Sequence, residues 1–341
     1  MFFSIIGIRV MRKEGSFGTS YRIKAPGKIN LHLRVKDRRP DGFHELESIF
    51  LALAWGDTLR FSLDGEDGLC DILTEDTEQR GIAPLPLEKN LVYRAVSLFR
   101  SYTGFSSGVR IVLEKRIPLG SGLGGGSSDA ASTLLALDAL AGTELSGETL
   151  TEMACRLGSD VPFFLNAGAA WVYGRGDRMR PLKVPELAAV VLVYPGFPSG
   201  TAESFCLLDQ ARNLLPGGEK GLLGEIPGLK APSRFPGAPL SEETLTAALG
   251  KDPREWPYGN DFLPVFLALA ARETGDAYRG MLKDLATLGA VFSGLSGAGS
   301  SCFGIFQDEG VAREAVKILS RQWNYVQLTF PLARRGQAVL Q

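Results

Sequence analysis

Residues 118–131, PLGSGLGGGSSDAA, carry the strongest chemical signal in the chain, with Gly120, Gly122, Gly124, Gly125 and Gly126 packed into seven positions ahead of a small-residue segment of helical character. A backbone without Cβ atoms can approach an anion closely, and the first amides of a helix have no partner within it. Such a loop is suited to phosphate. Gly120, Gly122 and Gly125 match G-x-G-x-x-G by letter, but a dinucleotide fingerprint opens a parallel βαβ unit and is followed by an acidic ribose ligand, and neither is clear here. A Walker A loop needs a lysine after its glycines, and this one has none. A second glycine-rich segment, GLSGAGSS at 294–301, reads either as bare backbone brought to a ligand or as a tight hairpin.

Other residues able to do chemistry are scattered. In YRIKAPGKINLHLRV, period-two spacing puts Lys28, Asn30 and His32 on one face, where a half-buried strand is usually apolar. Asp160 lies in GSDVPFF, which reads equally as a helix N-cap at Ser159 or Asp160 with Pro162 in the first turn, or as a positioned carboxylate. His44 follows a charged turn, RVKDRRPDG.

The elements that must position these groups can be read from periodicity and punctuation. Residues 21–35 read as strand, turn-like APG, then strand; FHELESIFLALAW and TLRFSL add further strands. Asn90 is suited to cap a helix whose stripe is Leu91, Ala95, Leu98 and Phe99, and VRIVLEKRIPLG is a strand ending at Pro118. The helix after the glycine loop is predicted to begin around Ser127 to Asp129 and to stop near Gly142; another spans about 147–157. GAAWVYGRG and AAVVLVYP are strands, and helices follow near 261–272, 277–288 and 310–321, with a strand–loop–strand hairpin over VFSGLSGAGSSCFGIF and a last strand. Residues 209–258 hold seven of the 19 prolines, so they read as a surface excursion with short helices such as SEETLTAAL.

Composition limits the partners. With 37 basic and 38 acidic residues the net charge is −1, which leaves no electrostatic footprint for nucleic acid or an anionic membrane. Cys70, Cys155, Cys206 and Cys302 form no C-x-x-C pair and only two histidines are present, so a structural zinc site or disulfide framework is not expected and a reducing cytoplasm fits. The apolar opening MFFSIIGIRV lacks the basic region and length of an export or spanning segment, and Met11 is the expected start.

Three ordered segments, APGKIN at 25–30, Pro118–Ala131 and GLSGAGSS, resemble the motifs of the GHMP kinase family, and DGFHELES and GSDVPFF resemble the branch that acts on a cytidyl alcohol. The resemblance implies an α+β fold in two lobes. An N-terminal lobe over 21–180 would be like ribosomal protein S5 domain 2, and a ferredoxin-like C-terminal lobe over 181–335 would carry the 209–258 insertion, with the site in the cleft between them. It implies transfer of the ATP γ-phosphoryl to the 2-hydroxyl of a diphosphocytidyl methylerythritol, with Mg²⁺ on the phosphates; another acceptor, such as homoserine or mevalonate, is the first alternative, ahead of a dinucleotide-dependent oxidoreductase or a non-catalytic nucleotide-binding protein. Catalysis falls to Asp160 as base and Lys28 as the adjacent cation. Nucleotide contacts fall to Pro118, Leu119, Gly120, Ser121, Gly122, Leu123, Gly124, Gly125, Gly126, Ser127 and Ser128, with Asn90 and Lys115 near the adenine; Ser128 also touches Mg²⁺ in that reading. Asn30, Phe43, His44, Phe205, Ser296, Gly297 and Gly299 would hold the acceptor, Phe43 and Phe205 sandwiching the base and His44 bonding its edge. No dedicated protein metal site is expected.

Overall fold

The computed structural model describes residues 20–64, 68–76, 86–213 and 240–333. The expected start at Met11 and residues 214–239 of the Pro/Gly-rich stretch lie outside them. The chain first forms β1 (Ser20–Arg38), β2 (His44–Asp64), β3 (Cys70–Asp76), α1 (Leu91–Thr103), β4 (Gly108–Lys115), α2 (Gly125–Ala141), α3 (Gly147–Leu157), α4 (Val161–Asn166), β5 (Ala169–Gly174) and β6 (Arg178–Leu182). These strands make one sheet in the order β3-β4-β2-β5-β6, with β1 also paired to β2, antiparallel except at β3–β4. There follow β7 (Ala189–Tyr194), α5 (Thr201–Asn213), α6 (Glu242–Ala248), α7 (Phe262–Leu269), α8 (Arg272–Thr287), β8 (Phe292–Leu295), β9 (Cys302–Phe306), α9 (Glu309–Leu319) and β10 (Tyr325–Thr329). Their antiparallel sheet runs β10-β7-β9-β8, the order of a ferredoxin-like βαββαβ unit.

Alternation along the strands sets where the lobes meet. In β1 and β2, Ile29, Leu31, Ile49, Leu51 and Leu53 point to one face and pack on Val190, Leu192, Phe303 and Ile305 of the second sheet. The opposite face carries Ala25, Phe50 and Ala52, packed beneath α1, α2 and α4. A third cluster fills the space between the second sheet and α5, α7, α8 and α9. Lys28 and Asn30 therefore sit one residue out of phase with the apolar contact between sheets, and both are buried.

Several local expectations change. The APG segment is no turn: β1 is continuous, and the chain adjusts through a register shift between Pro26 and Lys28. A second shift, between Asn30 and His32, carries His32 off the Lys28–Asn30 face; it packs instead against Tyr258. Residues 44–64 are likewise one strand, paired with β1 through Asp57 and Gly56 on one side of the shift between Pro26 and Lys28 and from Ala52 on the other. Helix α2 starts at Gly125, two residues before the expected onset, because Gly124 supplies the left-handed cap. The buried stripe of α1 is Val92, Ala95, Val96 and Phe99, with Leu91 and Leu98 only half-buried at its edge. Helix α8 begins at Arg272 rather than near 277, and β4 ends at Lys115 rather than Pro118. Asn90, Ser146 and Ser241 each cap a helix through the side chain. All four cysteines are free thiols, and no helix among the described residues is long and apolar enough to cross a membrane.

Candidate active site

The glycine loop joins β4 to α2, and its shape depends on positions closed to other residues. Gly120, Gly122 and Gly124 all have positive φ. At Gly122 a Cβ would lie 2.1 Å from the Ser296 carbonyl oxygen, so this residue lets the loop of the first lobe seat on that of the second. The seating is held by Ser296 Oγ donating to the Gly122 carbonyl (2.9 Å), the Ser301 amide to Ser121 (3.0 Å) and the Ser199 amide to Gly120 (2.8 Å). Asn260 anchors the second loop, its Nδ2 donating to the carbonyls of Leu295 and Gly297 at 2.8 Å each. The first-turn amides of α2 thus open onto a cleft of about 320 Å³ between the lobes.

Two lysines flank this loop from below. Lys28 is 4% exposed; its Nζ donates to Asn30 Oδ1 (2.5 Å), lies 4.5 Å from the Phe50 ring centre and sits 3.7 Å from Asp160 Oδ2. Asn30 is oriented in turn by donating to Ser48 Oγ (2.9 Å). Burial pulls the Lys28 pKa below the ordinary lysine value, and the Asp160 carboxylate partly restores it. Asp160 occupies the N-cap position of α4 in helical backbone conformation and makes no side-chain capping bond. Its carboxylate, with a side chain 33% exposed, faces Lys28 and the cleft, so the capping reading does not hold for the side chain.

Lys115 is the other flank. Its Nζ donates to Asp57 Oδ2 (2.5 Å) and Asp129 Oδ2 (2.8 Å), all three side chains being buried. Asp57 Oδ1 also accepts from the amides of Arg116 (2.5 Å) and Ile117 (2.8 Å), where the chain turns from β4 into the glycine loop. The two carboxylates hold the Lys115 ammonium well above its ordinary pKa against burial. Nothing in the local sequence joins Asp57 to Lys115, 58 residues on; the pairing is made by the sheet.

The cleft brings together Lys28, Asn30, Lys115, Pro118, Leu119, Gly120, Ser121, Gly122, Gly124, Gly125, Gly126, Ser127, Asp160, Phe205 and Gly297. It does not bring in every expected residue. Leu123 points into the core between the sheets, and Ser128 is fully buried with its Oγ lacking a hydrogen-bond partner. The Asn90 side chain accepts from the Val92 amide (3.0 Å) as a helix cap and is not among the lining residues. Phe43 is 55% exposed with the Arg175 guanidinium over its ring, and His44 stacks on Phe205 (centroids 5.0 Å apart, planes at 20°) while its Nε2 meets Asp209 Oδ1 at 2.8 Å. Ser296 and Gly299 shape the loop contact and do not line the cleft. His32 is neutral, burial pressing its pKa down to about 4, and its Nδ1 accepts from the Gly259 amide. Phe50, Asp57 and Asp129 are the residues that sequence reasoning missed.

Comparison with known proteins shows the family. Residues 90–168 match the GHMP kinases N terminal domain and residues 256–324 the GHMP kinases C terminal. A relative from Treponema pallidum (strain Nichols), named 4-diphosphocytidyl-2-C-methyl-D-erythritol kinase, is 38% identical over 311 residues, covering 89% of this chain and 96% of that protein. A crystal structure of 4-(cytidine 5'-diphospho)-2C-methyl-D-erythritol kinase is 32% identical with a TM-score of 0.66, covering 92% of this chain and all of that one. Mevalonate kinase of L. major, solved with R-mevalonate, reaches the same TM-score at 14% identity over 96% of this chain and 99% of its own, and so shares the fold. This chain therefore belongs to the GHMP kinase family, in the branch of its 4-diphosphocytidyl-2-C-methyl-D-erythritol kinase relatives.

Proposed function

We propose that the protein transfers the γ-phosphoryl group of ATP to the 2-hydroxyl of 4-diphosphocytidyl-2-C-methyl-D-erythritol, releasing ADP, as a step of non-mevalonate isoprenoid synthesis. The observation that carries the reading is the identity along nearly the whole length of a relative of that name, together with a lysine–aspartate pair beside a glycine loop. In this reading the open amides of α2 and the backbone of Gly120–Gly126 receive the ATP phosphates. The acceptor hydroxyl lies between Asp160, which takes its proton, and Lys28, whose ammonium offsets charge on the reacting oxygens. Asn30 holds the Lys28 Nζ by accepting its hydrogen bond, and the Phe50 ring packs against the same ammonium. Phosphoryl transfer rests on such placement and charge compensation more than on covalent chemistry.

The cytidyl end belongs toward α5, where Phe205 and Phe262 line the cleft. His44 and Phe205 lie in contact, leaving no gap for a base between them, so a base stacked on Phe205 displaces the His44 ring or takes its other face. Magnesium bound to ATP neutralises phosphate charge. Among the described residues no three His, Cys, Asp or Glu side chains are grouped so as to hold a metal ion, and buried Ser128 is not among the residues lining the cleft. ADP release measured with the cytidyl alcohol, homoserine and mevalonate in turn tests the reading. Turnover with the first alone is expected; preferred turnover of either other alcohol rejects it.

A further inference from the structure

The Asp57–Lys115–Asp129 cluster sets one ammonium against two carboxylates at a fully buried point. Asp57 has three donors, Lys115 and the amides of Arg116 and Ile117, so its charge is well met. The Asp129 carboxylate accepts from Lys115, and its Oδ1 is buried without a partner. Two ionised carboxylates would leave an uncompensated negative charge in the core, and the cost falls on the less satisfied group. We propose that Asp57, Lys115 and Asp129 form a neutral positioning cluster in which Asp129 carries the balancing proton, and that this cluster fixes the first turns of α2 and so the amides that meet the ATP phosphates. The inference rests on the reading of the glycine loop as the ATP site.

Placement supports the role. Asp57 is on β2, Lys115 ends β4 and Asp129 is the fifth residue of α2, so one ammonium ties two strands to the helix that the loop opens. A Cβ on Gly125 would stand 3.3 Å from Lys115 Nζ, so the ammonium lies directly beneath the first residue of α2. Burial and the second carboxylate push the Asp129 pKa up to about 8, with Lys115 opposing. The charged groups that face it are Asp57 from β2 and Lys115 from β4. Asp76 of β3 is in register with Lys115, and Lys28 of β1 lies across Gly124, paired with Asp160; α1, α3 and α4 add no charged group acting on Asp129.

An acid whose folded pKa is raised binds its proton more tightly in the folded state, so its contribution is present below the unfolded value and lost as pH rises through the folded one. The test is KM for ATP, kcat and melting temperature of the whole enzyme from pH 7 to 9.5, for wild type, Asp129→Asn and Lys115→Met. The expected result is a several-fold rise in wild-type KM for ATP across pH 8, with a falling melting temperature. Asp129→Asn, which keeps the neutral shape, should flatten both profiles, and Lys115→Met should raise KM about tenfold more than it lowers kcat. Wild-type and Asp129→Asn profiles that run parallel overturn the proposal. So does a Lys115→Met variant whose loss is all in kcat. If Lys115→Met does not fold, the Asp129→Asn comparison alone decides. Failure of the ATP-site reading looks different: ATP then gives the wild-type protein no thermal shift at any pH.

Discussion

Lys28 and Lys115 sit on either side of the same glycine loop, each 4% exposed, and their surroundings are opposite. Lys115 is clamped at 2.5 and 2.8 Å by two buried carboxylates, and its pKa rises. Lys28 has one carboxylate, 3.7 Å away and open to the cleft, and its pKa falls. Burial acts alike on both; the number and closeness of counter-charges decides the direction. A lysine whose charge is fully met is suited to holding structure. One only partly met keeps its field for a group that arrives later, as a transferring phosphoryl does.

The largest expected effect breaks the open side of this contrast: Asp160→Asn should lower kcat by about 10³-fold or more, as expected for loss of a general base, with KM for ATP within a few-fold of wild type in steady-state kinetics. Lys28→Met should cost about 10²-fold in kcat, also with little change in KM for ATP, under the proposed action of its ammonium on developing charge. Gly122→Ala probes the loop between the two lysines, where φ is +76° and the added Cβ would strike the Ser296 carbonyl. A loss of about 2–3 kcal/mol in urea unfolding is expected. The smallest effect is that of Asn90→Ala, which removes a helix cap and should cost about 1 kcal/mol of stability while KM for ATP changes less than twofold.

The glycine loop and the helix it opens were legible because glycine spacing, caps and helix stops are local. Gly142, Asn90, Ser146 and Ser241 end or begin helices where their residue types say they should. What was not legible depends on pairing across the sheet. Period two puts His32 beside Asn30, and a register shift that no residue type announces turns it away. Asp57 and Asp129 are unremarkable in sequence; only strand pairing of β2 with β4 and the packing of α2 bring them to Lys115. Asp160 was ambiguous because a cap and a base occupy the same place in the chain. The side chain's turn toward Lys28, with no bond to the helix amides, removes the capping reading and leaves the carboxylate facing the cleft.

The most direct test of the account is ADP release, with and without 4-diphosphocytidyl-2-C-methyl-D-erythritol, for wild type and Asp160→Asn side by side at saturating ATP. The account predicts acceptor-dependent ADP formation by the wild type and its near loss in a variant that still binds ATP. Acceptor-independent release, or a variant turning over at close to the wild-type rate, would contradict it.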